Sequence, residues 1–213
     1  MEIREVVLPT RDTGTIERFY GRELGLEVVS DPACVTVALG RTRMVFEESE
    51  YEGAHHLAFT IPTGMFPQAK EWIAARAALL GRDGVDEFEG PSSWNSRSVY
   101  FDGPDGQVLE LIERRGLKHP TTDDFGTDGL LCVSEVGVAV PEVLDTVNLL
   151  QLSGIEPYGS PPSEGFAAVG DIHGMLILVS PGRGWMPTGD RLAQQVPVIV
   201  RAGGADAKEF TFR

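Results

Sequence analysis

Residues 56–62, HLAFTIP, open on a histidine, run as a short apolar strand and close on a proline. Two other stretches share that pattern, EVVLPT at 5–10 and EVGVAVP at 135–141. Each begins with a residue able to bind a cation and ends at or near a proline. Strand alternation sorts all three in the same way. Val6 and Leu8, then Leu57, Phe59 and Ile61, then Val136, Val138 and Val140 make one bulky apolar face, suited to packing under a helix. The opposite face is smaller and carries the polar residue: Glu5 and Val7, then His56, Ala58 and Thr60, then Glu135, Gly137 and Ala139.

A helical pattern follows each strand. TGTIERFYGRELG (13–25) places Ile16, Phe19, Tyr20 and Leu24 at helical spacing, with Gly25 as a C-terminal stop. MFPQAKEWIAARAALL (65–80) does so with Phe66, Ala69, Trp72, Ile73 and Leu80. PEVLDTVNLLQLSG (141–154) repeats the design with Val143, Leu144, Val147, Leu150 and Leu152. Strand-like runs then return: LEVV, CVTVAL and RMVFEE; VDEFEG, RSVYF and QVLELIE; IEPYG, FAAVG and MLILVS. GRTR, DGPDG and GDIHG supply the turn at the last hairpin of each copy. The unit is β-α-β-β-β, used three times, and the fold class is α+β.

One such unit exposes a concave sheet face, which a second unit would bury. Copies one and two, residues 1–50 and 51–115, are contiguous and are expected to pair into a cup-shaped mixed sheet. Residues 116–129 are polar and turn-rich, as a linker is. Residues 130–213 hold the third copy and a C-terminal tail. That copy is expected to pair with its equivalent in a homodimer; the alternatives are packing against the first two copies or using the tail VPVIVRAGG as a partial partner.

The chain's 213 residues carry a net charge of −14 with a pI near 4.6. This balance disfavours nucleic acid and anionic membrane as partners, since both select basic surfaces. Cys34 and Cys132 form no C-x-x-C pattern, so neither a disulfide framework nor a zinc–cysteine site follows. MEIREVVLPT has charges where a signal peptide needs an apolar stretch, and no apolar run approaches the roughly 20 residues that span a bilayer. A cytoplasmic location is the expectation.

EVVLPTRDTGTIERFYGRELGLEVV and YFDGPDGQVLELIE resemble the opening and closing signatures of the vicinal oxygen chelate superfamily. That superfamily holds glyoxalase I, extradiol dioxygenases and the bleomycin- and fosfomycin-resistance proteins. The resemblance covers residues 3–113, and 133–180 more loosely. It implies metal ligands on the first and last strands of paired modules, at positions matching Glu5, His56 and Glu110, with Val45 at the fourth position and Glu47 two residues on. Alternation independently turns Val108, Glu110 and Ile112 inward. A buried carboxylate in an apolar strand must be paired, protonated or coordinated.

One histidine and two carboxylates leave open positions on a divalent ion, and they suit Mn, Fe, Zn, Ni or Mg. Glu5, where an extradiol enzyme has a histidine, favours the harder cations and lyase or isomerase chemistry over oxygen activation. Glu5 or Glu47 is the expected base, as the glyoxalase resemblance implies, and Tyr100 a proton donor, with Trp94, Asn95 and Arg97 binding a small-molecule substrate. His55 is expected at the surface or behind a ligand, and His119 in solvent. Leu178 is matched to Glu110 in the third copy, which is therefore read as structural, Glu135 included. Trp185 is read as packing. The alternative function is a metal-free binding protein of the bleomycin-resistance kind. It is favoured if Trp94, Tyr158 and Trp185 line one groove; a module without chemistry instead requires Glu5 and Glu110 to face solvent or fixed partners.

Overall fold

The computed structural model describes residues 1–121, 123–203 and 207–213. Thr122 of the linker and residues 204–206 of the tail lie outside the described residues. The first repeat runs β1 (Ile3–Thr10), α1 (Thr13–Ile16, continuing as a π-helical stretch over Glu17–Glu23), β2 (Glu27–Asp31), β3 (Cys34–Leu39) and β4 (Thr42–Glu48). The second runs β5 (His56–Ile61), α2 (Phe66–Ala74), β6 (Leu79–Leu80), β7 (Glu87–Glu89), β8 (Ser96–Asp102) and β9 (Val108–Arg114). The third runs β10 (Cys132–Ala139), α3 (Val143–Leu152), β11 (Phe166–Asp171) and β12 (Gly174–Val179), and the tail adds β13 (Val198–Ala202) and β14 (Lys208–Phe212).

Local chemistry sets these boundaries. Asp12 caps α1, its Oδ1 accepting the Gly14 amide at 2.8 Å. Gly25, at φ 80°, takes the left-handed turn that ends the helix. The second helix is shorter than its pattern: it stops at Ala74, and Leu80 passes into β6, opposite Tyr100. In α3 the buried stripe is Val143, Val147 and Leu150, while Leu144 and Leu152 face solvent. The stretch IEPYG is reduced to a single bridge, Pro157 to Val169.

The strands form two mixed sheets, one of six in the order β14-β13-β1-β4-β3-β2 and one of eight in the order β11-β12-β10-β5-β9-β8-β6, with β7 also on β8. Modules two and three therefore pair, through antiparallel β5 and β10, whereas the sequence expectation pairs modules one and two. The tail explains the difference. Val198, Val200 and Ala202 alternate inward, and β13 runs antiparallel to β1, where a second module would have lain. With β1 satisfied, module three finds its mate within the chain, and the reason for a dimer through that module disappears. The bulky faces of β1, β5 and β10 and the buried sides of all three helices share one core. The linker is docked on it: Phe125 is buried and meets Trp72 edge-on at 5.5 Å. No described helix is long and apolar enough to cross a membrane.

Candidate metal centre

The small-residue face of the eight-stranded sheet carries the site. Ala58, on β5, stands opposite Glu110 of β9 on one side and Glu135 of β10 on the other. Its methyl group leaves room for both carboxylates to lean over the strand that bears His56. A register break at Ser134, just before Glu135, turns the Glu onto this face while keeping Val133 and Val136 in the core. Gly137, two residues on, is required by packing. A Cβ there would lie 2.6 Å from the Trp185 ring and 3.0 Å from the His56 Cβ.

His56, Glu110 and Glu135 are buried, and one ligand atom from each lies within 4.8 Å of the others. His56 Nε2 is 3.6 Å from Glu110 Oε2 and 3.8 Å from Glu135 Oε2. Ligands each about 2.1 Å from a common ion stand roughly 3.0–3.5 Å apart, so a small side-chain adjustment seats one. The other imidazole nitrogen, Nδ1, donates to the Val108 carbonyl at 3.0 Å, which leaves Nε2 as the ligating atom. The Trp185 indole stacks on this ring, centroids 5.3 Å apart, and donates Nε1–H to the Ala54 carbonyl at 2.8 Å.

Burial and the Glu135 charge push the Glu110 carboxyl up to about 7. Burial also opposes a charge on His56, but Glu135 and Glu110 outweigh it and hold the imidazole above its ordinary value. Burial works against the Glu135 charge as well, yet Arg114 and His56 keep that carboxyl below its usual range. Arg114 is itself fully buried and ion-paired with Glu135. A proton shared among two acids and an imidazole is readily displaced by a divalent cation, whose donor chemistry this set matches.

The cluster lies in the wall of a cavity of about 290 Å³ whose lining includes Phe88, Trp94, Tyr100, Tyr158, Phe166 and Trp185. Burial, and the charges of Glu110 and Glu135, raise the Tyr100 hydroxyl well above its ordinary value, so it stays protonated. In the parallel pairing of β10 and β12, Gly137 stands opposite Ile177 just as Ala58 stands opposite Glu110. Ile177, which lines the cavity, thus occupies the fourth position; Leu178, matched to it from sequence, lies in the core.

Of the residues singled out in sequence, the structure brings together His56, Glu110, Tyr100 and Trp94. Glu5 is elsewhere, on β1 of the other sheet, ion-paired with Arg43 and Arg201. Glu47 is exposed near the end of β4, in the same six-stranded sheet. Arg97 points to the helix side of β8, paired with Glu87 and lying over the Phe66 ring at 4.1 Å, because alternation gives the cavity to Ser96 and Ser98. Asn95 is an exposed turn residue at φ 46°. His55 is buried rather than at the surface, Nε2 donating to the Pro9 carbonyl at 3.0 Å, and burial drives its pKa down to about 4. His119 is half-buried. Glu135, Arg114, Ile177 and Trp185 are the residues at the candidate site that sequence reading does not assign to it. Glu135 had a signal in its repeat register, and Arg114 in its alternation with Glu110 and Ile112; Trp185 had none.

No family model matches the sequence, and no curated protein matches it either. Among solved structures, the "putative dioxygenase" from Bacillus subtilis superposes with a TM-score of 0.58 at 19% identity, over 84% of this chain and 63% of that one. This chain thus spans less than two thirds of that protein's length. Lactoylglutathione lyase from Agrobacterium tumefaciens matches at TM-score 0.44 and 21% identity, over 55% of this chain and 96% of its own. A glyoxalase/bleomycin resistance/dioxygenase family enzyme from Burkholderia phytofirmans matches at 0.40 and 17%, over 54% and 99%. The chain shares its fold, built from repeated βαβββ-like modules, with the Bacillus subtilis protein.

Proposed function

We propose that this protein is a metal-dependent enzyme, holding a divalent ion on His56 Nε2 and one oxygen each of Glu110 and Glu135. It acts on a small substrate whose neighbouring oxygens chelate that ion. The observation that carries the reading is the convergence of three buried ligand atoms from three adjacent strands, with an apolar residue, Ile177, at the fourth position and a cavity in front. A bound divalent ion would act as a Lewis acid toward the chelated oxygens and stabilise negative charge on them. The chain's own groups supply the rest. Ile112, Ile177 and Trp185 keep water from the ligand side of the cavity, and Trp94 and Tyr158, in mutual ring contact at 6.1 Å, offer one aromatic wall to a flat substrate. Tyr100, protonated beside Glu110, offers its hydroxyl proton to a developing oxyanion. The two-carboxylate set suits proton-transfer and lyase or isomerase chemistry on Mn, Fe or Mg.

A second reading has an observation of its own. Trp94, Tyr158 and Trp185 do line one cavity, as a metal-free binding protein would require. Elemental mass spectrometry of the purified protein, beside Glu110→Gln, decides between them. The enzyme reading expects one divalent ion per chain in the wild type and none in the variant. A metal-free wild type that stays so after addition of Mn²⁺, Fe²⁺, Zn²⁺ or Ni²⁺, and still binds aromatic probes, establishes the binding protein.

A further inference from the structure

Of the two carboxylates at the proposed centre, Glu135 has a dedicated cation. Arg114, on β9, donates from Nη2 to Glu135 Oε1 and leaves Oε2 as the oxygen that faces His56. Its side chain is fully buried, with Trp94 lying over the guanidinium at 5.7 Å. Its Nε and Nη1 find no acceptor among the described residues, and Glu135 is its only ion-pair partner there. A guanidinium keeps its proton whatever surrounds it. Its positive charge is therefore set chiefly against one cavity-lining glutamate, with Glu110 also in its field. The other charged side chains at that cavity, Glu89 and Arg183, are exposed to solvent and opposite in sign.

We infer that Arg114 is a positioning residue that makes Glu135 a one-oxygen, charge-compensated ligand, so that the centre takes its chelating ligand as a singly charged anion. The inference rests on the metal reading above. Ligation requires both carboxylates ionised and the imidazole neutral. Two negative charges, the Arg114 charge and a divalent ion then leave a net charge of plus one. A neutral chelator leaves that charge buried, and a doubly charged one overshoots it; an anion with one charge and an adjacent oxygen, of the 2-hydroxycarboxylate or enolate type, brings the sum to zero. Net charge buried away from water is costly, which is the source of the preference. In charge, the Glu135–Arg114 pair stands for a single neutral ligand.

The test uses the full chain, Mn²⁺ and glycolate, with each affinity read by calorimetry and folding by circular dichroism. Arg114→Met is expected to bind Mn²⁺ at least as tightly as the wild type, because a buried like charge has gone, while the loaded protein loses about tenfold or more in glycolate affinity. Arg114→Lys, which keeps the charge, is expected to hold glycolate affinity within about tenfold of wild type. The double variant Arg114→Met with Glu135→His exchanges the pair for a neutral ligand and is expected to retain both ions. It decides the matter if Arg114→Met alone does not fold, since neither an unpaired buried carboxylate nor its cation then remains. Unchanged glycolate binding in Arg114→Met overturns the inference. So does a folded double variant that takes Mn²⁺ but not glycolate. A wild type that binds no Mn²⁺ overturns the metal reading itself, a result distinct from either.

Discussion

Glu5 and Glu135 occupy the same place in two copies of one unit, and the molecule treats them oppositely. Each follows a register break, at Arg4 in β1 and at Ser134 in β10, and each faces the small-residue side of its sheet. Each has a parallel neighbour strand on one side and an antiparallel one on the other. Beside Glu5 those neighbours present Arg43 and Arg201; beside Glu135 they present Met175 and Ala58. Two arginines, both reaching solvent, neutralise Glu5 outright. An alanine instead gives Glu135 space, and the charges it meets come from His56 and Glu110 as well as Arg114. The acid is the same and the backbone nearly so; the cross-strand partner decides whether the carboxylate is used up or left available.

The sharpest way to break this comparison is to remove the proposed ligands from one site and the acid from the other. His56→Ala and Glu110→Gln are each expected to lower divalent-ion affinity by about a hundredfold or more, since removing a direct ligand exceeds the cost of losing a supporting contact. Glu5→Gln should leave metal content unchanged by elemental analysis. A drop in the Glu5 variant equal to that in Glu110→Gln would mean that the two acids are not distinguished as described.

Acidity separates the two regions next. Glu110 titrates near 7 in the folded protein, above the 4.5 of an exposed glutamate, and His56 is also raised. Both bind protons more tightly folded than unfolded. The metal-free protein should therefore be stabilised by Glu110 below pH about 4.5 and lose that stabilisation, roughly 3 kcal/mol, as pH rises through about 7. Thermal melts from pH 4.5 to 8 test this. The decline should flatten in Glu110→Gln and should shrink when excess Mn²⁺ binds the ionised carboxylates.

Packing gives a smaller effect. Gly137→Ala forces the Trp185 ring away from His56 and should cost about 1–3 kcal/mol in urea unfolding while weakening ion binding. A variant as stable as wild type would show that Trp185 is not seated against Gly137. Glu5→Gln is expected to cost only about 1 kcal/mol or less by the same measurement, because its arginine partners are largely exposed and can turn to water. Glu47→Gln and Arg97→Ala come last, with stability changes within about 1 kcal/mol and no change in metal content.

Much of this was legible beforehand because strand alternation is a local property. The inward direction of His56, Glu110 and Glu135 follows from period-two patterning, and so does the burial of Val6, Leu57 and Val136. The helix stripes were readable for the same reason, apart from ends such as Leu80, where pairing with Tyr100 overrode the helical pattern. Leu178 was misplaced against Ile177 by one residue, enough to turn a side chain to the other face. Trp185 reaches His56 from a segment with no regular pattern, so nothing in its neighbourhood marked it.

The sequence alone determined three repeats that each open strand–helix, the third with one expected strand reduced to a bridge, together with the faces of the opening strands and the residues able to hold a cation. It left open which two units would mate, because all three offer the same apolar edge and the same small-residue face. The tertiary structure settled that through the tail: β13 takes the free edge of β1, so β5 and β10 are left to each other. That choice put Glu135 rather than Glu5 beside His56 and Glu110, and added Arg201 of the tail to Arg43 of the same module against Glu5. Pairing is a competition among non-local contacts of similar energy, and its winner depends on every strand that competes for the edge.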